Sequence, residues 1–242
     1  MKVQIKRYTS EPEVKEALLE YEVALKDVTL LALLQEIKTK QDASLSFSSG
    51  CRSSVCGSCS MRVNGKEVLA CSYKVKEGDV IEPLRNAPVL RDLIVDMSAA
   101  YAMNAKAKAW LSSSAHDVKL SPEDEKRNEI QSDCILCGSC YSACPVYSVN
   151  EAFLGPFALT RVWRYVSDTR ESDNTSKLDV IQTNGVWDCT LCNECTLVCP
   201  QNISSKADIE KLRSKSVMSG YEDPSFANSF GGGFGFDGSP SF

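Results

Sequence analysis

A cysteine motif that occurs twice constrains this chain more than any other feature. The first copy runs from Cys134 to Pro145, and the second runs from Cys189 to Pro200. Both copies have the spacing C-x2-C-x2-C-x3-C-P, which is the bacterial spacing for cubane iron–sulfur clusters. With this spacing the fourth cysteine of one motif ligates the cluster held mainly by the other motif. The repeat therefore predicts two cubane sites.

Four further cysteines precede the repeat. Cys51, Cys56 and Cys59 have the spacing C-x4-C-x2-C, and Cys71 follows after eleven more residues. This is the plant-type pattern for a 2Fe-2S cluster. The two patterns together use all 12 cysteines of the chain. The sequence therefore predicts a protein that carries electrons.

Two other uses of cysteine fit less well. Disulfide frameworks are typical of short secreted chains, and near neighbours at C-x2-C spacing are poor disulfide partners. Zinc sites take four ligands in two pairs, whereas each repeat crowds three thiols into seven residues. A Rieske centre needs two histidines, and the chain has only His116. That histidine lies in a serine-rich stretch and is expected to be solvated.

Composition limits the function and the location. The formal net charge of −5 gives no basic field for nucleic acid, so no nucleic-acid partner is expected. No apolar run reaches the length of about 18 residues that suggests a membrane helix. The start of the chain has neither the apolar core of a secretory signal nor a twin arginine. We therefore expect a cytoplasmic protein that has no membrane span of its own.

The first part of the chain predicts a small sheet domain. Residues 1–8 and 20–26 alternate as neighbouring strands around an acidic loop at 10–13, and Asn64-Gly65 predicts a hairpin that carries Cys71 back to the cysteine loop. Val80-Ile81 predicts another strand, and Thr29 can cap a helix. That helix has apolar residues at helical spacing: Leu30, Leu31, Leu33, Leu34 and Ile37.

Small residues dominate the loop that contains the first three cysteines. Backbone N–H groups and serine hydroxyls must approach the sulfur atoms closely there, because they stabilise negative charge on a cluster. Gly50 and Gly57 are predicted to allow positive φ angles. Strands, one helix and this loop predict a plant-type ferredoxin β-grasp domain over residues 1–97.

The remainder predicts helices. Residues 98–120 read as a helical connector, and Ser121-Pro122 is a helix start with a capping serine followed by proline. Residues 121–220 form the predicted all-helical bacterial-type ferredoxin domain, and 221–242 form a flexible tail rich in Gly and Phe. The tail matches G-x-G-x-x-G at 233–238, but no strand precedes the match and no helix can follow it. The fold class is therefore α+β.

At this point the chain resembles the iron–sulfur subunit of succinate dehydrogenase and fumarate reductase, over about residues 1–220. The order of one plant-type site followed by two cubane motifs is specific to few families. The residues that carry the resemblance are the three cysteine groups, Leu69-Ala-Cys71, Leu90-Arg-Asp92-Leu-Ile-Val-Asp96-Met, Gly155-Pro156 and Cys199-Pro200.

The resemblance implies a non-catalytic electron-relay subunit of the enzyme. Its expected partners are a flavoprotein subunit that contains FAD and one or more membrane anchor subunits that handle quinone. Through them the chain would lie peripherally at the inner membrane. Cys51, Cys56, Cys59 and Cys71 are the implied 2Fe-2S ligands, nearest the flavin. Cys134, Cys137, Cys140 and Cys199 are the implied 4Fe-4S ligands.

The third cluster departs from the family pattern. Cys144, Cys189 and Cys195 match the ligands of the 3Fe-4S centre, but Cys192 stands where common members have a residue that binds no iron. We expect Cys192 to be a fourth ligand, which makes the cluster 4Fe-4S. The alternative is a small buried thiol beside a 3Fe-4S cluster.

Two further positions also differ from the usual quinone site. Val149 replaces a frequent tryptophan, and Thr190 replaces a frequent histidine. These departures fit an atypical subgroup whose anchor is cysteine-rich and related to heterodisulfide reductases.

Other functions remain open from the sequence. The chain could serve another flavin oxidoreductase, such as a thiol-linked fumarate reductase, which only the substrate would distinguish. It could also be a free-standing multicluster carrier without a stable partner, or a zinc-stabilised interaction protein.

Overall fold

The computed structural model describes residues 1–8, 16–112 and 118–224. The predictions for the loop at 10–13, for His116 and for the G-x-G-x-x-G match lie outside the described residues. The described part forms a mixed sheet followed by short helices. No helix within it is long and apolar enough to cross a membrane.

Five strands form the sheet of the first part. Strands β1 and β2 make one end, β3 and β4 make the other, and β5 lies between β1 and β3, so the order is β2-β1-β5-β3-β4. Strand β1 is parallel to β5, and the other neighbours are antiparallel. This mixed sheet is the predicted β-grasp arrangement. The bounds are β1 Lys2–Tyr8, β2 Glu16–Glu22, β3 Ser60–Val63, β4 Lys66–Leu69 and β5 Val80–Glu82.

Strands β1 and β2 are neighbours in the sheet, as predicted, and pair antiparallel, but the predicted bounds of β2 were wrong. The prediction was 20–26, whereas β2 covers Glu16–Glu22. Its register follows β1 along its whole length, from Tyr8 opposite Glu16 to Lys2 opposite Glu22. The last contact joins the Val23 amide to the Met1 carbonyl at 2.8 Å. Residues 23–26 continue without strand structure, so the ladder with β1 ends at Glu22.

The predicted helix and hairpin are both present. Helix α1 covers Leu30–Lys40, and the Thr29 hydroxyl accepts a hydrogen bond from the Ala32 amide at 3.3 Å. All five apolar residues predicted for its inner face are buried. At the hairpin, Asn64 and Gly65 have φ angles of +50° and +81°, and such positive values are what a two-residue turn between strands requires.

A second, smaller hairpin was not predicted. It consists of β6 (Val89–Arg91) and β7 (Ile94–Val95), with Asp92 at its turn at a φ of +48°. Its strands are too short for alternation to be visible in the sequence.

Nine short helices follow in the described residues. Pro122 and Pro156 each stand in the first turn of a helix, where a missing N–H costs nothing. Ser121 and Asp124 form a capping box at the first of these starts. The helices are α2 Ser98–Lys106, α3 Pro122–Lys126, α4 Glu129–Ser132, α5 Ser139–Ser142, α6 Pro145–Val149, α7 Pro156–Val166, α8 Asn174–Val180, α9 Glu194–Leu197 and α10 Ser205–Met218.

Two hydrophobic cores lie in succession along the chain. The first fills the space between the sheet and α1, with Val3, Ile5 and Ile81 fully buried. The second surrounds α7, whose residues Phe157 and Val162 are buried. Gly155 precedes α7 because a Cβ atom there would lie 2.2 Å from the Tyr141 ring. The buried ring of Tyr141 therefore leaves no room for a side chain at this position.

A buried arginine connects the sheet to the segment before the cysteine loop. Arg7 of β1 donates to both carboxylate oxygens of Asp92, at 2.8 and 3.2 Å, and also contacts Asp42. Asp92 in turn accepts from the amides of Tyr8 and Ser46, at 3.1 and 2.8 Å. The small hairpin, the first strand and the entry to the cysteine loop are thus joined at one carboxylate.

We expect Asp92→Ala to destabilise the first part of the chain strongly. The substitution leaves the buried Arg7 charge with a reduced set of partners and leaves two amides unbonded, which together cost about 3 kcal/mol or more. The check is the urea concentration at which the far-ultraviolet circular dichroism of the full-length, cluster-loaded protein is half lost.

Glu20→Ala is the matched control. It removes one partner of the Lys2–Glu20 pair, whose side chains are both 53% exposed, so the loss should stay below about 1 kcal/mol. Equal midpoints for the two variants would contradict a structural role for Asp92.

Candidate iron–sulfur centres

The loop of the first three cysteines directs backbone amides at sulfur. The amides of Ser53, Val55 and Cys56 each lie 3.3 Å from the Cys51 sulfur. The Ser54 amide lies 3.3 Å from the sulfur of Cys71, which the β3–β4 hairpin brings to the loop. Such donors stabilise a charged sulfur. The predicted approach of amides to this site is therefore confirmed.

Serine hydroxyls reach the same sulfur atoms. The Ser58 hydroxyl lies 3.1 Å from the Cys56 sulfur, and the Ser54 hydroxyl lies 3.6 Å from the Cys71 sulfur. The Ser58 contact is the main cause that lowers the pKa of the exposed Cys56 thiol to about 6. The loop therefore favours thiolate at this cysteine.

The two glycines of the loop have different roles. Gly57 has the predicted positive φ, +72°. The prediction was wrong for Gly50, which is not among the positive-φ residues. Gly50 is needed for space, because a Cβ atom there would lie 2.8 Å from the Ser58 hydroxyl and 2.9 Å from the Cys56 sulfur.

The sequence repeat is also a repeat of backbone conformation. The residue before the second cysteine of each motif has a positive φ, +53° at Leu136 and +55° at Leu191. The residue after that cysteine is left-handed too, with Gly138 at +81° and Asn193 at +73°. Two such residues in each motif wrap its backbone around a cavity. A short helix, α5 or α9, begins directly after them.

The first cavity lies between the two motifs. It is partly open to solvent. Three cysteines of the first motif line it, together with one cysteine from the end of the second motif. They are Cys134, Cys137, Cys140 and Cys199, the set implied by the resemblance for the 4Fe-4S cluster. We call this the central cavity.

The second cavity is the reciprocal case. Three cysteines of the second motif line it, together with one from the first. They are Cys144, Cys189, Cys192 and Cys195. The structure thus places Cys192 with the expected ligands of the third cluster. Thr190 lines this cavity as well, whereas Val149 is 85% exposed. We call this the third-cluster cavity.

Burial acts against free thiolates in both cavities. It raises the pKa of Cys195 to about 12, and that of the fully enclosed Cys140 well above its ordinary value. Cys134, Cys137, Cys144 and Cys189 shift in the same direction for the same reason. A coordinated thiol is deprotonated outright, so positively charged iron is what would offset this cost.

The arrangement of the sulfur atoms differs from that of disulfide and zinc sites. All twelve cysteines are free thiols, with no disulfide among them. A zinc ion holds sulfur ligands about 2.3 Å from one centre. Within residues 1–8, 16–112 and 118–224, no group of three or more possible ligands is placed to hold a single metal ion. The cysteines line cavities instead, which fits a group larger than one ion.

The loop of the first three cysteines touches the first motif directly. A Cβ atom at Gly57 would lie 2.7 Å from the Cys137 Cβ and 3.1 Å from the Ile135 carbonyl oxygen. The side-chain amide of Gln201, just after the second motif, donates to the Ser54 carbonyl at 3.0 Å. Two parts of the chain that are distant in sequence therefore meet at the first cysteine loop.

Two buried hydroxyl contacts join the sheet to α5. The Ser60 hydroxyl lies 2.9 Å from the Ser139 hydroxyl, and the Ser142 hydroxyl donates to the Glu67 carboxylate at 2.7 Å. Sequence reasoning missed these contacts because serines on a four-residue helix carry no periodic signal.

Comparison with known proteins agrees with this geometry. A family model described as a 2Fe-2S iron-sulfur cluster binding domain matches residues 2–102. A second one, described as a 4Fe-4S dicluster domain, matches residues 130–203. The two family models thus support the predicted 2Fe-2S and 4Fe-4S cofactors. The type of the third cluster depends on whether Cys192 is a ligand.

Characterised relatives extend over most of the chain. The iron-sulfur subunit of 8-methylmenaquinol:fumarate reductase from Wolinella succinogenes is 37% identical over 218 residues, or 83% of this chain and 68% of the relative. The fumarate reductase iron-sulfur subunit of Haemophilus influenzae is 35% identical over 238 residues, or 90% and 93% of the two chains. The chain belongs to the family of succinate dehydrogenase and fumarate reductase iron–sulfur subunits. The predicted family is therefore confirmed.

The fold of this iron–sulfur subunit is also found in a solved structure. A chain of the Mycobacterium smegmatis Sdh1 complex in the apo form superimposes with a TM-score of 0.79 at 23% identity. The match covers 91% of this chain and 97% of the other. It confirms the predicted succession of a ferredoxin-like sheet domain and a helical ferredoxin domain.

We expect Gly57→Ala to impair the contact between the first cysteine loop and the first motif. The added methyl group would overlap Cys137, whose own position is fixed by the central cavity. Iron and acid-labile sulfide per chain should fall, and the 2Fe-2S paramagnetic resonance signal should weaken.

Gly78→Ala provides the control. Gly78 has a similar φ of +79°, but nothing lies within 4 Å of a Cβ atom there. It should therefore lose only the backbone contribution of about 1 to 2 kcal/mol and keep its iron. Equal iron contents in the two variants would show that the close approach at Gly57 does not matter.

Proposed function

We propose that this chain is the electron-relay subunit of a succinate dehydrogenase or fumarate reductase. The observation that carries the proposal is the crossed placement of cysteines, in which each of two cavities takes cysteines from both motifs. The first cysteine loop adjoins the central cavity through Gly57. When bound, each cluster accepts and releases one electron, and the protein supplies position and electrostatics.

The proposed ligands follow the three sites. Cys51, Cys56, Cys59 and Cys71 hold the 2Fe-2S cluster. Cys134, Cys137, Cys140 and Cys199 hold the 4Fe-4S cluster. Cys144, Cys189, Cys192 and Cys195 hold the third cluster.

Cys192 decides the type of the third cluster. It lines the same cavity as the other three cysteines, and its place in the motif equals that of Cys137 in the first copy. Asn193, which follows it, adopts the same left-handed conformation as Gly138 after Cys137. We therefore infer a 4Fe-4S cluster here, with 3Fe-4S as the alternative.

The ends of the relay are proposed from exposure. Cys51 and Cys56 are exposed, as is Val55 between them, and this loop faces the flavoprotein subunit that contains FAD. The third-cluster cavity lies at the other end of the relay and faces the membrane anchor that handles quinone. Exposed Val149 and the threonine at 190 suit the atypical, cysteine-rich anchor. The chain would then lie on the cytoplasmic face of the membrane through its partners.

The boundaries of the domains are part of the same proposal. We place the 2Fe-2S domain at 1–97, the connector at 98–120, the two-cluster domain at 121–220 and the tail at 221–242. The two hydrophobic cores support a division near residue 97, since the first ends with Leu93 and the second begins with Ala100.

The relay is tested by adding succinate to the complex purified anaerobically with its partner subunits. Succinate should reduce the clusters of the wild type, as seen by paramagnetic resonance after rapid freezing. In Cys59→Ser, reduction of the two cubane sites should be much slower, because the entry site is disrupted. Reduction at the wild-type rate would refute the proposed order. A complex that responds only to a thiol substrate would instead support a thiol-linked enzyme.

We expect Cys192→Ser to convert the third cluster to the three-iron form. The oxidised wild type should show no strong three-iron signal in paramagnetic resonance, whereas the oxidised variant should show one and lose about one iron per chain. Cys189→Ser is the control, because it removes a ligand common to both cluster types and should abolish the site. A three-iron signal already present in the wild type would show that Cys192 is not a ligand.

A further inference from the structure

A pocket of buried polar groups lies behind the central cavity. Three helices contribute one side chain each: Asp208 from α10, Gln131 from α4 and Thr160 from α7. All three are at most 3% exposed. The Gln131 amide nitrogen donates to Oδ1 of Asp208 at 2.8 Å. A carboxyl group this deeply buried is unusual unless it is paired, and the relay described above makes no use of it.

The hydrogen bonds of this pocket are incomplete. Oδ2 of Asp208, Oε1 of Gln131 and the Thr160 hydroxyl have no hydrogen-bond partner among the described residues. The first two can only accept, whereas the Thr160 hydroxyl can donate to one of them, so at least one of the two acceptors is left without a donor among these three atoms. A proton on Oδ2 would supply one donor and remove a buried negative charge.

The pocket adjoins the wall of the central cavity. Thr160 lines that cavity, and so does Ser205, which lies one helical turn before Asp208 on α10. Gln131 lies three residues before Cys134, the first cysteine of the same cavity. A charge on a cluster in the central cavity is therefore separated from the Asp208 carboxyl by one layer of side chains. Charges interact strongly across such a buried layer, because water does not screen them there.

The charged groups around Asp208 do not neutralise it fully. Lys211, on the same helix, lies 3.7 Å from Oδ1, but its side chain is 49% exposed and its charge is partly screened by solvent. Arg161 is the neighbour of Thr160 on α7, and Glu129 on α4, Glu194 on α9 and Glu210 on α10 are all exposed. Burial raises the pKa of Asp208 to about 6, against the lowering effects of Gln131, Lys211 and the nearby Thr160 hydroxyl.

We propose that Asp208 takes up a proton from solvent when the cluster of the central cavity takes up an electron. The inference rests on the proposed function, because it requires a redox cluster in that cavity. One electron arrives through the relay, one proton arrives through the half-exposed Lys211 side of the pocket, and one O–H bond forms on Oδ2. The O–H bond of the hydronium ion that delivers the proton is broken, and no other bond changes. Reoxidation returns the proton to solvent.

The sign of the effect follows from linkage. The reduced site carries one more negative charge, so Asp208 binds its proton more tightly in the reduced state than in the oxidised state. Below the oxidised-state pKa the carboxyl is neutral in both states, and the potential does not depend on pH. Above it, reduction is accompanied by proton uptake, and the potential falls as pH rises. The fall ends at the higher, reduced-state pKa.

The test is a redox titration of the central cluster at pH 5, 6, 7 and 8. It uses the anaerobically purified full-length protein with its clusters and follows the 4Fe-4S signal by paramagnetic resonance. We expect the equilibrium constant for reduction to fall at least tenfold between pH 5 and pH 8. For a one-electron couple a tenfold change is 59 mV.

Asp208→Asn should remove the pH dependence. The amide is neutral at every pH, so the potential of the variant should not depend on pH. At pH 8 its equilibrium constant for reduction should exceed that of the wild type at least tenfold. Glu210→Gln is the matched control, since it removes one carboxylate from the same helix at an exposed position. Its titration should retain the wild-type slope.

Lys211→Met provides a second test if Asp208→Asn does not retain its clusters. Removing this half-exposed positive charge raises the proton affinity of Asp208, so the onset of the pH dependence should move to higher pH. An unchanged onset would overturn the proposal.

The remaining outcomes distinguish a failure of the Asp208 proposal from a failure of the proposed electron-relay function. A flat wild-type titration in a protein that holds all three clusters would refute the role of Asp208 alone. A slope that persists in Asp208→Asn would refute it as well. A preparation without iron would refute the proposed function, and the inference with it.

Discussion

The burial of sulfur charge in close groups is the constraint on which the rest of this structure depends. Thiolates repel one another, and an enclosed cysteine such as Cys140 resists ionisation. The chain offsets this cost with backbone amides, which point at sulfur in all three regions, as at Cys51, Cys144 and Cys199. Positive charge from iron supplies the remainder. Left-handed residues and short helices exist here because amides can converge on sulfur only from a sharply turned backbone.

The same constraint explains how the two domains join. Where the first cysteine loop and β3 meet the first motif, the interface uses small side chains and hydroxyls, such as Gly57, Ser60 and Ser139. Large apolar side chains would bury more surface, but they would also move the first cysteine loop away from the central cavity. The interface therefore gives close approach of two redox sites at the expense of hydrophobic area.

The sequence predicted the features that depend on spacing and period. Helix α1, the Asn64-Gly65 turn, the helix start at Ser121 and the spacing of the cysteines are local patterns, and each follows from a direct physical rule. The crossed assignment of Cys144 and Cys199 came from the spacing rule for paired motifs and from family resemblance. Neither the alternation of apolar and polar residues nor the net charge of the chain predicts this crossed assignment.

Other features could not be predicted because they depend on distant residues. Arg7 occupies an inward position on β1, after Val3 and Ile5, and an inward charge signals a buried partner without saying which. Its partner Asp92 lies 85 residues away. The pocket of Gln131, Thr160 and Asp208 likewise takes one residue from each of three helices. The role of Gly50 was misjudged because a lack of space for a Cβ atom and a positive φ angle both favour glycine, and the sequence does not tell the two causes apart.

The crossing of the two cysteine motifs has a consequence for biosynthesis. The first four cysteines all lie between residues 51 and 71, so their site can be completed while most of the chain is still on the ribosome. The third-cluster cavity has its four cysteines only when residue 195 has been made, and the central cavity only when residue 199 has been made, because each takes members from both motifs. Cluster delivery is thus divided in time, with one early site and two late sites that are completed almost together. A nascent chain arrested before residue 195 would carry the cysteines already made for both cavities as thiols, in place of two finished centres.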